Sequence, residues 1–390
     1  MKIAFLDNIE WDYHVDSVQK IPLGGSQSSL CYLAVELANL GHQVFLFNSC
    51  SAPRSTLGVG GQPWARLFAP GFLQELDLDF LIILNYAGWG QKLRQLLPSQ
   101  TKLLLWTQHA IDQGAIDPLR DPKECQSYDY VIFVSEWQRR TYLESLQLQP
   151  QQTQIFRNCI APPFQNLFPA EISPYKTQPP VLAYTSTPFR GLELLLNIFP
   201  YLRQTLPDLT LKVFSSLQVY QLSDQADPYQ WLYEQCRQTP GVEYIGSLPQ
   251  TQLAQELRST TLLIYPNHFA ETSCISVLEA MASGCLVVTS DLGALPETTE
   301  GFGRLIPLSD DWSVYQQNFV QQTLNLLGKL PNSLQKSLQD SSQENLQAYK
   351  SGDQSLNKSS EYLRWQVNYV NKYYNWQQRA LEWSAWLQRI

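Results

Sequence analysis

The stretch Asn267 to Ser290, NHFAETSCISVLEAMASGCLVVTS, constrains the chain more than any other, because it joins a strand end, a polar turn, a helix and a second strand. Leu262 to Tyr265 is a short apolar run that reads as a buried strand, and Pro266-Asn267 ends it. Ser276 to Ala282 is rich in helix formers, so the strand hands over to a helix. With Thr272 or Ser273 as N-cap, the backbone N–H groups of Ser273, Cys274 and Ile275 fall in the first turn, where the helix dipole is positive. That predicts an anion site, suited to phosphate. Glu271 and Glu279 flank it, about 80° apart around an axis that turns about 100° per residue. A carboxylate is no phosphate ligand but accepts well from hydroxyls. Phosphate beside polyhydroxyl is the chemistry of a nucleotide sugar. For the spacing alone, a surface helix with a solvated glutamate at each end is the alternative.

Around this stretch, strands alternate with helices. Lys2 to Asp7 reads as a buried strand, Gly24-Gly25 as a polar turn, and Ser26 to Leu40 as a helix with Leu30, Leu33, Ala34, Leu37 and Ala38 on one face, ended by Gly41. Gln43 to Asn48 is the next strand, and this β-α-β unit predicts a parallel sheet. Apolar runs at Phe80 to Asn85, Lys102 to Thr107, Tyr130 to Val134 and Gln154 to Phe156 extend the first half. The second half repeats the pattern with strands at Val181 to Thr185, Thr210 to Phe214, Glu243 to Ile245, Leu262 to Tyr265, Leu286 to Thr289 and Arg304 to Ile306. Helices are expected over Leu192 to Leu202, Tyr229 to Gln238 and Leu253 to Leu257. The fold class is therefore α/β, with two doubly wound Rossmann-like domains facing a cleft, over residues 1–165 and 166–355. A proline-rich linker runs from Ala161 to Pro180. Leu327 to Ser360 reads as an exposed helix and loop. Residues 356–390 carry Tyr362, Trp365, Tyr369, Tyr373, Trp376, Ala380, Trp383 and Leu387 as a stripe along one long helix.

Composition narrows the partners. A chain of 390 residues with 44% apolar content supports two cores. Net charge −8 and a pI near 5.1 argue against a basic surface for nucleic acid or anionic lipid. The seven cysteines form no CxxC pair, as expected of reduced thiols and not of a zinc or disulfide framework. The N-terminal apolar run is too short for a signal peptide and no run approaches a membrane span, so a cytoplasmic protein without a transmembrane segment is expected. Asp77-Leu-Asp79 precedes a strand, at the rim where ligands do not bind, so no metal or cofactor is expected.

Ligands of open α/β sheets bind beyond the carboxyl ends of the strands. In the second half these positions hold Thr185-Ser186-Thr187, Ser215-Ser216, Gly246, Asn267 and Ser290; in the first, Asn8, Asn85, Gln108-His109 and Ser135-Glu136. Arg190-Gly191 heads a helix and supplies a guanidinium able to fork onto a diphosphate.

The longer string from Glu271 to Gly284, followed by Val287-Val-Thr-Ser290 and Gly293-Ala-Leu-Pro-Glu297, closely resembles the E-x7-E signature of retaining, family 4 type glycosyltransferases of the GT-B fold. The resemblance implies that Arg190 stands for the lysine of the family's Arg and Lys-Gly turn, with Thr185 or a neighbour where the arginine would be. It implies that Gly24-Gly25 is the glycine-rich loop of the donor-binding site, where backbone approaches donor phosphate or acceptor, that His109 is a catalytic residue beside the reacting sugar, as Glu271 is, and that Asn158-Cys159-Ile160 replaces an Asn-Gly-Val or Asn-Gly-Ile string. Cys159 and Cys274 stand where that family has glycine. In the implied donor site Glu279 holds ribose hydroxyls, Thr272, Ser273, Cys274 and Ile275 with Arg190 cradle phosphate, and Glu271 holds the sugar. A terminal helix crossing back to the first domain is implied too. The implied activity is transfer from a UDP- or GDP-linked sugar to a hydroxyl of a glycan or glycoconjugate acceptor with retention. Alternatives are an inactive glycan-binding or assembly module and a nucleotide-sugar isomerase or phosphorylase.

Overall fold

The computed structural model describes residues 1–169, 172, 176, 179–327 and 360–390. The chain divides into two compact units, Met1–Cys159 with Trp376–Ile390, and Ile160–Asn375. The divisions thus fall at 159/160 and 375/376, earlier than 165/166 and later than 355/356. Within the linker stretch, residues 170–171, 173–175 and 177–178 lie outside the described residues, as do 328–359 of the stretch read as an exposed helix and loop.

The first unit is built on an eight-stranded sheet of β1 (Lys2–Leu6), β2 (Gln43–Asn48), β3 (Arg54–Thr56), β4 (Val59–Pro63), β5 (Phe80–Leu84), β6 (Lys102–Trp106), β7 (Tyr130–Phe133) and β8 (Thr153–Ile155). Its order is β3-β4-β2-β1-β5-β6-β7-β8. Only β3 with β4 pairs antiparallel among these. Strands such as FLIIL in β5 and KLLLW in β6 are near-continuous apolar runs, as a sheet covered on both faces requires. Helices α1 (Gly25–Asn39), α2 (Phe72–Leu76), α3 (Gly90–Leu96), α4 (Pro122–Ser127) and α5 (Glu136–Ser145) connect them. The sequence VGGQP of β4 gives no strand signal, yet glycine is what the position needs. A Cβ on Gly61 would come within 3.1 Å of the Arg54 carbonyl and of His14, and one on Gly60 within 3.1 Å of the Phe45 ring.

The second unit carries a six-stranded, wholly parallel sheet of β9 (Val181–Tyr184), β10 (Thr210–Val213), β11 (Val242–Tyr244), β12 (Leu262–Tyr265), β13 (Leu286–Ser290) and β14 (Gly303–Ile306). Their order is β11-β10-β9-β12-β13-β14. Helices α6 (Leu192–Thr205), α7 (Gln230–Gln238), α8 (Gln250–Ser259), α9 (Ile275–Ala282), α10 (Leu295–Thr299) and α11 (Trp312–Leu327) follow the strands. Both units are thus Rossmann-like, as the alternation of patterns requires.

The terminal aromatic stripe is not one helix. It splits into α12 (Ser360–Tyr373) and α13 (Trp376–Leu387). The Asn375 side-chain amide donates to the Asn371 and Lys372 carbonyls at 2.9 and 3.1 Å, closing the first helix where regular bonding would otherwise run on. α12 packs on α9 in the second unit, where Gln366 donates to the carbonyls of Met281 and Cys285. α13 packs on α1 in the first unit and places Trp383 against Phe156 and Trp106.

Candidate active site

In the second sheet the chain runs outward from β9 through β10 to β11, then returns to β12 on the other side of β9. Leu262 and Leu263 of β12 lie opposite Leu182 and Ala183 of β9. The order of connections reverses between these two strands, and in such sheets the crevice beyond their carboxyl ends takes the ligand. Arg190, Glu271 and α9 all follow β9 or β12.

Gly191 heads α6 with φ +115°, and a Cβ there would lie 2.2 Å from the Pro266 carbonyl oxygen. Only glycine lets the β9 turn pass this close to the loop after β12. That passage delivers Arg190 to Glu271. The Arg190 Nη1 donates to Glu271 Oε1 at 2.9 Å, and the Tyr265 hydroxyl donates to the same oxygen at 2.6 Å. Ser186 continues the chain, 3.3 Å from the Tyr265 hydroxyl. Glu271 is 5% exposed. The Arg190 guanidinium lies 4.6 Å from the centre of the Phe269 ring and 5.5 Å from that of Phe189. Burial disfavours its charge, but the Glu271 carboxylate outweighs this and holds it protonated above its ordinary range.

The helix begins later than expected. Cys274, not Thr272 or Ser273, is the N-cap of α9, and it makes no side-chain cap hydrogen bond. The reason lies in the preceding backbone. The Glu271 carbonyl accepts from Ala294 N at 2.7 Å, and a Cβ on Gly293 would fall 2.6 Å from that same oxygen. Glu271 and its neighbours are thereby pinned in a non-helical path, and helical geometry starts only at Ile275. The 80° separation expected of Glu271 and Glu279 consequently does not apply, since Glu271 lies off the helix. In the first turn of α9 the Ser276 hydroxyl donates to the Thr185 carbonyl at 2.6 Å, tying the helix start to the end of β9.

Glu279 is 4% exposed and has its own partners, Gln250 Nε2 at 3.1 Å and the Ala161 N–H at 3.4 Å. Burial pushes its carboxyl up to about 8, with the Ala161 N–H acting in the opposite sense. Its Oε1 accepts from both partners. Cys274 and Cys159, which stand at glycine positions of the resembled family, are buried and neither has a positive φ. The Cys274 thiol is held well above its usual range by burial and by Glu271.

The sequence-expected residues of the first unit gather at the carboxyl rim of its own sheet. Gly24 is the N-cap of α1 and Gly25 its first residue. His109 follows β6; its N–H donates to Thr107, and its carbonyl accepts from Gln138 and Tyr142. Asn158 donates to Gln108 at 3.0 Å, and Gln108 N donates to Asn85 Oδ1 at 2.8 Å. Asn85 has φ +62°. Asp77 and Asp79 lie at the opposite, amino rim, where Lys2 donates to both. Among the described residues no group of three or more His, Cys, Asp or Glu is placed to hold a metal, and no helix is long and apolar enough to cross a membrane.

Sequence reasoning missed Tyr265, Gln250 and Ser276. Tyr265 was legible only as the last apolar position of a strand. A hydroxyl-bearing aromatic at a carboxyl strand end is the signal that marks it.

Residues 179–328 match the family model described as glycosyl transferases group 1. A phosphatidyl-myo-inositol mannosyltransferase of Mycobacterium tuberculosis is 29% identical over 123 residues, which are 31% of this chain and 30% of that protein, so the match spans under a third of the relative's length. Among solved structures, sucrose-phosphate synthase from Thermosynechococcus elongatus is similar with TM-score 0.66 at 17% identity, covering 100% of this chain and 98% of that one. Anabaena HepE in complex with UDP-glucose is similar with TM-score 0.62 at 14% identity over the whole of both chains. WaaG, a glycosyltransferase involved in lipopolysaccharide biosynthesis, is similar with TM-score 0.62 at 14% identity over 97% of this chain and 98% of that one. Residues 179–328 are a group 1 glycosyltransferase domain, in a chain with the two Rossmann-like domains of the GT-B glycosyltransferases.

Proposed function

We propose that the protein transfers a sugar from a nucleoside-diphosphate sugar to a hydroxyl of a glycan or glycoconjugate, with retention of configuration and without a metal. The observation that carries this reading is the meeting of Arg190, Glu271 and the uncapped start of α9 where the sheet order reverses, inside the matched domain.

In this reading the first-turn amides of α9, from Ile275 on, and the preceding Thr272, Ser273 and Cys274 line the phosphate side, with Arg190 as cation. Glu279 takes the ribose hydroxyls, and Glu271 the hydroxyls of the transferred sugar. Departure of the diphosphate breaks the bond from anomeric carbon to phosphate oxygen and leaves an oxocarbenium-like sugar. Preorganised donors that stabilise the leaving charge do most of the catalytic work. The acceptor oxygen then bonds to the anomeric carbon on the face the nucleoside diphosphate left, and its hydroxyl proton passes to the departing phosphate oxygen. His109 serves the reacting sugar, and the backbone of the Gly24-Gly25 turn approaches donor phosphate or acceptor. A UDP-linked donor is the first to try, since HepE is solved with UDP-glucose; a GDP-linked one is the second. Seven buried cysteines, none in a disulfide, fit the cytoplasm.

The test is calorimetric titration with UDP, GDP, ADP and their sugar conjugates without added metal, with Glu279→Ala beside the wild type, followed by transfer assays with Glu271→Gln. One nucleotide bound selectively, weakened by Glu279→Ala, and turnover lost in Glu271→Gln is the expected result. Donor binding without turnover under any acceptor favours the inactive module, and no nucleotide binding overturns the donor site.

A further inference from the structure

Four aromatic residues of the first unit form a connected patch at the carboxyl rim of its sheet. The chain runs from β1 to β2 and β4 on one side and returns to β5 on the other. The connections thus reverse between β1 and β5, where such sheets take ligands. Trp64 directly follows β4, and Tyr86 and Trp89 lie in the turn after β5. The ring centre of Trp89 lies 5.7 Å from that of Trp64, 5.0 Å from that of Phe68 and 6.4 Å from that of Tyr86. All four residues are partly exposed. Asn85, with φ +62°, turns the chain out of β5, and its side-chain oxygen accepts from Gln108 N at 2.8 Å. The patch therefore begins beside the loop that carries His109.

Two exposed cations sit on rings here. Lys92 Nζ lies 4.2 Å from the centre of the Phe68 ring and 4.8 Å from that of Trp89. The Arg66 guanidinium, from the same turn as Trp64 and Phe68, lies 4.8 Å from the centre of the Phe72 ring and donates to Gln62. Among the described residues neither pairs with a carboxylate, whereas Lys2, Arg54, Arg94 and Arg139 of the same unit each do. The face of a ring attracts a cation without cancelling its charge. Lys92 and Arg66 therefore keep theirs for an incoming anion, in a chain whose net charge is −8. Flat rings suit the C–H faces of a pyranose, whose hydrogens meet the negative face of the aromatic system. An ammonium and a guanidinium suit carboxylate or phosphate oxygens. One ligand class meets both demands: a saccharide that carries an acidic group.

We infer that this rim takes the acceptor and that the acceptor is an acidic saccharide, with a pyranose ring on Trp64 and Tyr86, the rings Lys92 does not cover, and its carboxylate or phosphate on Lys92 and Arg66. The inference rests on the transfer reaction proposed above and narrows its acceptor from any glycan to an anionic one. The acidic group binds and does not react. Because both cations are exposed, their attraction for it weakens as salt rises.

The experiment titrates short neutral, uronic-acid-bearing and phosphate-bearing oligosaccharides, inorganic phosphate and phosphatidylglycerol vesicles into wild type, the double variant Arg66→Gln with Lys92→Gln, and Trp64→Leu, at low and high salt. Wild type is expected to bind one acidic class about tenfold or more tighter than its neutral parent, the scale of one hydrogen bond between charged groups. The uronic-acid and phosphate arms tell which anion is carried. The double variant should lose the preference and its salt dependence while keeping its affinity for the neutral parent. Trp64→Leu should weaken acidic and neutral saccharides alike, and UDP or GDP affinity should be unchanged in every variant. Where Trp64→Leu fails to fold, as seen by thermal melting, Tyr86→Leu replaces it. No preference for acidic saccharides in wild type, no saccharide bound at all, or a double variant within about twofold of wild type overturns the inference and leaves the transfer reaction standing. Inorganic phosphate bound as tightly as the phosphate-bearing saccharide also overturns it, as does vesicle binding that depends on Arg66 and Lys92 without binding of any saccharide. A wild type that takes acidic saccharides but no nucleotide overturns the transfer reaction and leaves the rim a saccharide site.

Discussion

Oxygen Oε1 of Glu271 accepts from Arg190 at 2.9 Å and from Tyr265 at 2.6 Å, so the cation expected to hold phosphate also orients the carboxylate expected to hold sugar. Removing one partner of such a pair strands the other. Arg190→Met is expected to cost roughly 3 kcal/mol, near the low end for breaking a buried pair because the guanidinium side chain keeps 24% of its exposure. Adding Glu271→Gln should recover part of that loss, since a neutral amide needs no cation. Urea denaturation of both single variants and the double variant measures the coupling, and strictly additive costs would contradict it.

Glu279 makes stability depend on pH in a definite direction. Its carboxyl is pushed up to about 8 by burial, from 4.5 when exposed. Between these values the unfolded chain has lost a proton that the folded chain retains. The contribution of Glu279 is therefore full below about pH 4.5 and is lost as pH rises through 8. Glu279→Gln abolishes the titration, so its stability relative to wild type should climb by about 1.4 kcal/mol per pH unit inside that window and level off above it. Thermal melts of the two proteins from pH 5 to 9 decide the matter: parallel curves would refute the assignment.

Sheet strands and the long amphipathic helices were legible because burial on both faces leaves apolar runs such as those of β5, β6 and β12, which few other arrangements explain. The position of Arg190 and Glu271 beyond strand ends was legible for the same reason. What local pattern could not supply was anything set by contact at long range. Glycine in β4 serves close approach to His14 and Arg54, far along the chain or across a turn, and so carries no strand signal of its own. The cap of α9 moved from Thr272 or Ser273 to Cys274 because Ala294 and Gly293, some twenty residues on, hold the Glu271 backbone. The break between α12 and α13 depends on one asparagine amide turning back onto its own helix, which an aromatic stripe of unbroken spacing conceals.

Gly191 couples the two loops of the site. Its φ of +115° lies where a Cβ is strained, and the Pro266 carbonyl fills the space a Cβ would need. Gly191→Ala should lower stability by about 2 kcal/mol or more and displace Arg190 from Glu271. The expected signature is a lower melting temperature together with weakened nucleotide binding. A variant that melts lower but binds nucleotide like wild type would show that the loop after β12 relaxes without moving the site.

Trp383 is the point at which α13 enters the core of the first unit. It is fully buried, stacked on Phe156 with ring centres 4.5 Å apart and edge-on to Trp106 at 5.3 Å. Trp106 is the last residue of β6 and Phe156 directly follows β8, so one indole braces the carboxyl ends of two strands. Those strands lead into Gln108, His109 and Asn158, joined by the Asn158 to Gln108 hydrogen bond. Trp383→Ala removes the brace and leaves a cavity, at a cost of about 3–5 kcal/mol. Trp383→Phe keeps a ring and should cost distinctly less. Because the contacts lie on the rim that carries His109, loss of transfer activity should exceed the fraction of protein unfolded in Trp383→Ala, while nucleotide affinity in the second unit should persist in the folded fraction. Comparing the urea midpoint, the nucleotide affinity and the turnover of the two variants separates bracing of the rim from simple loss of core volume, since a pure volume effect would lower turnover only in proportion to the unfolded population.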